Sequence, residues 1–201
     1  MRHGATEWNL SKRHQGQTDV SLSELGRAQA ARLRDRLTDV PVDVIYSSDL
    51  SRAAETAAII DSEHNRPVVL AKELREIAFG HWEGLTYEEI QSRYPEELRR
   101  SQEERLDFKP VGGESLRSVD ERLAHWAAEV GIEQPDTTIL VVSHRGALRV
   151  LLCRLLGLPP TSYWRLWIDC CGLSTVDCYG EGCILSLLND TSHLKGLSDA
   201  G

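Results

Sequence analysis

The chain predicts a three-layer α/β/α sandwich on a mostly parallel, mixed central sheet, and three observations carry that expectation. Short β-rich runs alternate with amphipathic helical stretches, several runs end in small polar residues or a histidine, and two late runs flank Gly180-Glu181-Gly182 as a hairpin. Alternating strands and helices favour parallel pairing, with antiparallel pairing left for the hairpin at the end. With 201 residues, 41% of them hydrophobic and 27% charged, the chain suits a single domain over 1–201 with a substantial core.

The elements follow in order. Ser21-Leu22-Ser23-Glu24 has the form of a capping box, and Leu22, Leu25, Ala28, Leu33 and Leu37 continue a helical stripe that Pro41 stops. Val42 to Tyr46 reads as a strand ending at Ser47-Ser48, followed by a helix from about Asp49 through Ile60 and a short strand at 67–70. Thr86-Tyr87-Glu88-Glu89 is a second capping box, opening a helix that Pro95 interrupts, and the charge-rich residues 96–107 read as a solvated helix. Leu116, Val119, Leu123, Trp126 and Val130 recur every three or four residues, which predicts a strong helix. Residues 138–142 form an uninterrupted apolar strand suited to burial on both faces, and a helix over 147–156 follows it. Residues 79–113 are the natural insertion between core elements.

Composition narrows the function. A net charge of −8 argues against nucleic-acid or membrane-surface binding, since both need positive potential. A small phosphate ester remains possible if a few cations converge. No apolar run of about 18 residues is present, and the N-terminus lacks signal-peptide character, so a cytoplasmic location is expected. Five cysteines form no CxxC pair and read as reduced, mostly buried thiols, and no metal-ligand spacing is evident.

Two tripeptides carry the chemistry. Arg2-His3-Gly4 opens the chain, and Ser143-His144-Arg145-Gly146 follows the apolar strand. Two histidines, each beside an arginine and a glycine, suggest one anionic site built from both ends of the chain, beyond the carboxyl ends of the strands. Three further patterns join them: Gln15-Gly16; Ser48-Asp49-Leu50-Ser51-Arg52 with Thr56; and Leu74-Arg75-Glu76 with Gly80 and Trp82-Glu83-Gly84. In this order and spacing, with Asn9, the set resembles the histidine phosphatase superfamily, the phosphoglycerate-mutase-like family, over nearly the whole chain.

The resemblance implies a phosphohistidine mechanism without cofactor or metal. His3 matches the nucleophile; Arg2, Arg52 and His144 match the cationic groups around the phosphoryl oxygens; Glu76 matches the proton donor to the leaving alcohol. Asn9 and Gln15 match neutral donors at the rim, and Arg145, His81 and Trp82 are candidate substrate contacts. Specificity is expected in 79–113, with Phe79, His81, Trp82, Tyr87 and Phe108 as wall groups, while the tryptophans at 126, 164 and 167 read as core. Glu73 and Glu83 lie near Glu76 and leave its selection less direct than that of His3.

Within the family, the Leu-Arg-Glu context of Glu76 and the Trp82-Glu83-Gly84 pattern resemble the phosphatase branch, which includes broad-specificity, α-ribazole and glucosyl-3-phosphoglycerate phosphatases. The expected activity is therefore a phosphomonoesterase acting on a small metabolite, as a monomer or homodimer. A cofactor-dependent phosphoglycerate mutase and a non-catalytic phosphate-binding module on the same fold are the alternatives. Family members place about five apolar residues before Arg-His-Gly as a central strand. Here only Met1 precedes it. Either the given start is internal to the natural chain, or the first strand is truncated, which would leave a slot in the sheet and a fraying end.

Overall fold

The computed structural model describes residues 1–62, 66–134 and 136–197; His64, expected to be solvated or structural, lies outside them. Val44–Ser48 (β1) is flanked by Val68–Ala71 (β2) and Ile139–Val142 (β3), both parallel to it, in the order β2-β1-β3. The register places Ile45 opposite both Val68 and Leu140. Because strand side chains alternate between faces, β1 and β3 each feed two cores, while β2 contributes only Ala71. Ile45, Leu140 and Val142 pack with Leu33 of helix Glu24–Arg36 (α2) and with Ala53, Ala57 and Ile60 of helix Ser51–Asp61 (α3). Tyr46 and Val141 pack on the other side with Leu123 and Trp126 of helix Leu116–Val130 (α6) and with Val150 and Leu151 of helix Arg145–Leu155 (α7). The three predicted layers follow from this division.

The last two strands, Leu173–Tyr179 (β4) and Gly182–Asp190 (β5), pair antiparallel as a separate two-stranded sheet rather than as part of the parallel one. Their register puts Cys178 opposite Cys183, and the two are joined by a disulfide. The expectation of reduced thiols is corrected for this pair, because directly opposed positions in a hairpin bring the sulfurs together. Cys153, Cys170 and Cys171 remain free and buried.

Between β3 and β4 runs the N-terminus. The Met1 amino group donates to the Val141 carbonyl at 2.8 Å, the Ser143 N–H to the Met1 carbonyl, the His3 N–H to the Ser143 carbonyl, and the Cys171 N–H to the Arg2 carbonyl. A single parallel bridge pairs Arg2 with Ser143. Behind Met1 a cavity of about 780 Å³ continues along β3 toward Ile139 and along β4 toward Tyr179. The slot is present. The fraying end is not: residues 1–6 are buried and tied on both sides.

Boundaries moved for local reasons. The cap of α2 is Ser23, whose hydroxyl accepts from the Gly26 N–H, two residues beyond the Ser21 expected. Ser23 is held there by its own N–H and hydroxyl, which both donate to the Ala5 carbonyl. The Thr86 capping box forms as read, opening Tyr87–Arg93 (α4), and Pro95 starts a second helix, Pro95–Glu103 (α5), where its missing N–H costs nothing. A short helix, Glu7–Leu10 (α1), capped by Thr6 and Asn9, was not anticipated from so few residues.

Candidate active site

His3 emerges at the carboxyl end of β3, beside His144, because the Arg2–Ser143 bridge fixes its register. The loop beyond it is clamped. Gly4 donates its N–H to the Thr56 hydroxyl, and Ala5 donates its N–H to Gln29. A Cβ on Gly4 would collide with the Gly26 carbonyl, so this approach of loop to helix requires glycine. The His3 and His144 rings lie 5.0 Å apart, centroid to centroid.

The His3 Nδ1 lies 2.6 Å from the Gly4 carbonyl, a contact that calls for the proton on that nitrogen and leaves Nε2 with its lone pair. At 3% exposure, burial pushes the imidazole pKa well below its ordinary value, and the Arg52 and Arg2 guanidiniums push it further the same way. His144 is fully buried, its Nε2 2.8 Å from the Ser48 hydroxyl. Burial first, then His3, Arg52 and Arg2, lower its pKa well below the ordinary value too. With no anion bound, both histidines are therefore held toward their neutral forms.

The positive charge comes from arginines. Arg52 is fully buried in the first turn of α3 and donates to the Thr18 and Gly16 carbonyls at 2.9 and 2.7 Å. Burial pulls its pKa down to about 10, which still leaves it charged at neutral pH. Arg2 donates to the Ile168 carbonyl. The buried Nε atoms of Arg2 and Arg52 have no hydrogen-bond partner, and neither residue forms an ion pair among the described residues. Unpaired buried guanidinium groups are costly, and an anion between them would supply the missing partners.

Glu76 sits at the N-terminus of α7. Its carboxylate accepts from the Gly146 and Ala147 N–H groups at 3.1 Å and from the Ile77 N–H at 2.9 Å. Its neighbours have other tasks. Glu83 accepts from the Gln17, Thr18 and Phe79 N–H groups and holds two loops together. Glu114 accepts from Ala78 and Gln17 and pairs with Arg122, which also donates to the Glu73, Arg75 and Glu76 carbonyls. Arg75 bonds both Asp49 oxygens, at 2.7 and 2.6 Å, locking two of the motifs together.

A cavity of about 710 Å³ opens over this group. Arg2, His3, Asn9, Gln15, Arg52, Glu76, Trp82 and Arg145 all line it, whereas His144 lies behind them. Asn9 uses its carbonyl to accept from the Thr6 N–H, which leaves its amide donors for a ligand. The buried Gln15 carbonyl oxygen has no partner. Phe79, Tyr87 and Phe108 join Trp82 in the wall, and Trp82, Ile90 and Phe108 make a small core of the insertion's own. His81 is corrected: it does not line the cavity, its Nδ1 lies 3.1 Å from the Val111 carbonyl, and its Nε2 lies 3.2 Å from Glu97.

Trp126 is in the core, as read, but Trp164 and Trp167 are 56% and 57% exposed, and Trp167 lines the cavity. Apolar bulk suggested burial, but both indoles stack under arginines instead. Arg149, Tyr163 and Asp169 also line the cavity and were missed. Arg149 had a signal: it follows Arg145 by four residues and shares its helical face.

Comparison with known proteins agrees with this geometry. Residues 1–191 match the profile described as histidine phosphatase superfamily (branch 1). Phosphoserine phosphatase 1 of Hydrogenobacter thermophilus is 37% identical over 194 residues, covering 96% of this chain and 92% of the relative. The crystal structure of the α-ribazole phosphatase from Shigella flexneri superposes with a TM-score of 0.87 at 30% identity, covering 94% of each chain. A mycobacterial glucosyl-3-phosphoglycerate phosphatase, solved with VO3, gives a TM-score of 0.84 at 32% identity, covering 94% of this chain and 96% of that one. The chain belongs to the histidine phosphatase superfamily, branch 1.

Proposed function

We propose that this phosphomonoesterase works through a phosphohistidine on His3. The observation that carries the reading is the state of that side chain: buried, neutral, its Nδ1 committed to the Gly4 carbonyl, and set between two arginines without ion-pair partners at the floor of a cavity. Nε2 attacks phosphorus in line with the ester oxygen. The P–N bond forms as the P–O bond breaks, and Glu76 in its protonated form, which the hydrolytic half-reaction regenerates, gives its proton to the departing alkoxide. Water then attacks the phosphohistidine, Glu76 takes its proton, the P–N bond breaks and inorganic phosphate leaves.

Phosphoryl transfer asks mainly for alignment and for positive charge around the equatorial oxygens. Arg2 and Arg52 supply that charge, so the reaction is proposed to need no metal. Asn9 and Gln15 add neutral contacts at the rim, and Trp82 and Arg145 stand where the alcohol part of the ester would lie. The relatives' names suggest phosphoserine, α-ribazole 5′-phosphate and glucosyl-3-phosphoglycerate as the first substrates to test.

Steady-state release of phosphate from those esters, from 3-phosphoglycerate and from p-nitrophenyl phosphate tests the reading. Wild type should release phosphate and His3→Ala should not; equal rates for the two would sink it. Isomerisation of 3-phosphoglycerate with a trace of 2,3-bisphosphoglycerate, without phosphate release, would point to a mutase instead.

A further inference from the structure

Among the described residues, six arginines line the cavity: the phosphoryl group accounts for Arg2 and Arg52, Arg13 is paired with Glu89, and the Arg105 Nε donates to the Gln102 carbonyl. Arg145 and Arg149, one turn apart on α7, remain. Their guanidinium carbons lie 4.5 and 5.7 Å from the centroid of the same Trp167 ring. The Arg145 Nε donates to the Ile168 carbonyl at 3.0 Å, and its terminal amino groups have no partner among the described residues. The Arg149 Nε is buried without a partner, and neither arginine forms an ion pair among the described residues.

This placement runs against elementary electrostatics. Both residues stand in the first half of α7, at the end where the helix dipole is positive and cations are disfavoured. Burial first, then Arg2 and Arg149, brings Arg145 down to about 10, and burial with Arg2 lowers Arg149 despite the opposing pull of Tyr163, Glu76 and Asp169. The carboxylates nearby are engaged: Glu76 by three backbone N–H groups, and Asp169 by the Trp167 indole N–H and the Asn189 amide. Positive charge gathered at such cost in a cavity wall has a use if an anion sits against it.

We infer that Arg145 and Arg149, held over Trp167, form a second anion subsite that binds a carboxylate on the alcohol part of the substrate, so that the substrate class is carboxylate-bearing phosphomonoesters. The inference rests on the assignment of the phosphoryl group to His3, Arg2 and Arg52. A carboxylate fits because a guanidinium offers paired, coplanar N–H donors to two oxygens. The indole beneath fixes both forks in place without competing for their protons.

O-phosphoserine and O-phosphoethanolamine differ only in the carboxylate. Wild type should prefer phosphoserine in kcat/KM by on the order of 100-fold, the scale of a lost buried charge contact. Arg149→Gln should lose phosphoserine hydrolysis at least about tenfold more than phosphoethanolamine hydrolysis. Because the readout is a ratio on one preparation, partial unfolding cancels. Equal use of the two esters by wild type, or an equal loss in the variant, overturns the subsite while leaving the His3 mechanism standing. If p-nitrophenyl phosphate is not hydrolysed, or is hydrolysed equally by His3→Ala, the phosphoryl assignment fails and the subsite with it. A preference of tenfold or more for fructose 1,6-bisphosphate over phosphoserine would replace the carboxylate with a second phosphate and overturn the proposal.

Discussion

An imidazole in water is half protonated near pH 6.5, and a protonated one has no lone pair to offer. His3 avoids that state because burial and two guanidiniums all oppose its charge. NMR titration of His3, assigned with His3→Ala, should therefore show no protonation step near pH 6.5, and a midpoint there would contradict the account. Gly146 tests the other side of the cavity. A Cβ on it would lie 2.5 Å from the Glu76 Oε1 and 2.7 Å from the Ile77 side chain. Gly146→Ala should displace the carboxylate and lower kcat by about 100-fold, the low end for general acid–base catalysis. An unchanged kcat would show that Glu76 need not sit at the helix N-terminus.

At the level of elements, the strands and long helices were legible because their periodicities are strong. Leu116 to Val130 became α6, and the alternation around Ile45 and Val141 built two cores. The motif residues were legible through the family pattern. What was not legible depended on contacts between distant segments. Ser23 caps α2 because Ala5 holds it, and His81 turns from the cavity because Val111 and Glu97 hold it. Trp167 gave no sign of lying under two arginines, since it follows Arg165 outside any helix and its partners come from α7.

The slot beside β3 belongs to this scale as well. It lies between two strands, is lined by Leu140, Val141, Leu152 and Leu173, and ends at the Met1 amino group. Filling it with about five added apolar residues ahead of Met1 would bury surface and continue the pairing along β3. A gain of about 2 kcal/mol would raise Tm by roughly 4–8 °C. A melting curve with no shift, together with unchanged activity, would show that the added strand does not enter.

At the scale of the molecule, three bases among the described residues are buried in neutral form: the Met1 amine, His3 and His144. Burial lowers the Met1 amine from 8.0 to about 5. The unfolded chain takes up these protons first, so stability is full above pH 8. It falls as pH drops toward 5 through Met1, and below about 6.5 through the two histidines. For Met1 the loss approaches on the order of 4 kcal/mol. Asp49, held low by Arg75, acts only at more acid pH. Urea denaturation at pH 8 and pH 5 should show the lower stability at pH 5. Equal stability would mean that these groups are solvated. The apolar extension should flatten the curve, because an amide replaces the amine.

The covalent intermediate is the most direct test of the whole account. Enzyme mixed with 32P-labelled phosphomonoester and quenched within the first turnover should carry acid-labile, base-stable label approaching one phosphate per chain. His3→Ala should carry none. Equal label on both proteins, or turnover by wild type with no label trapped, would contradict it.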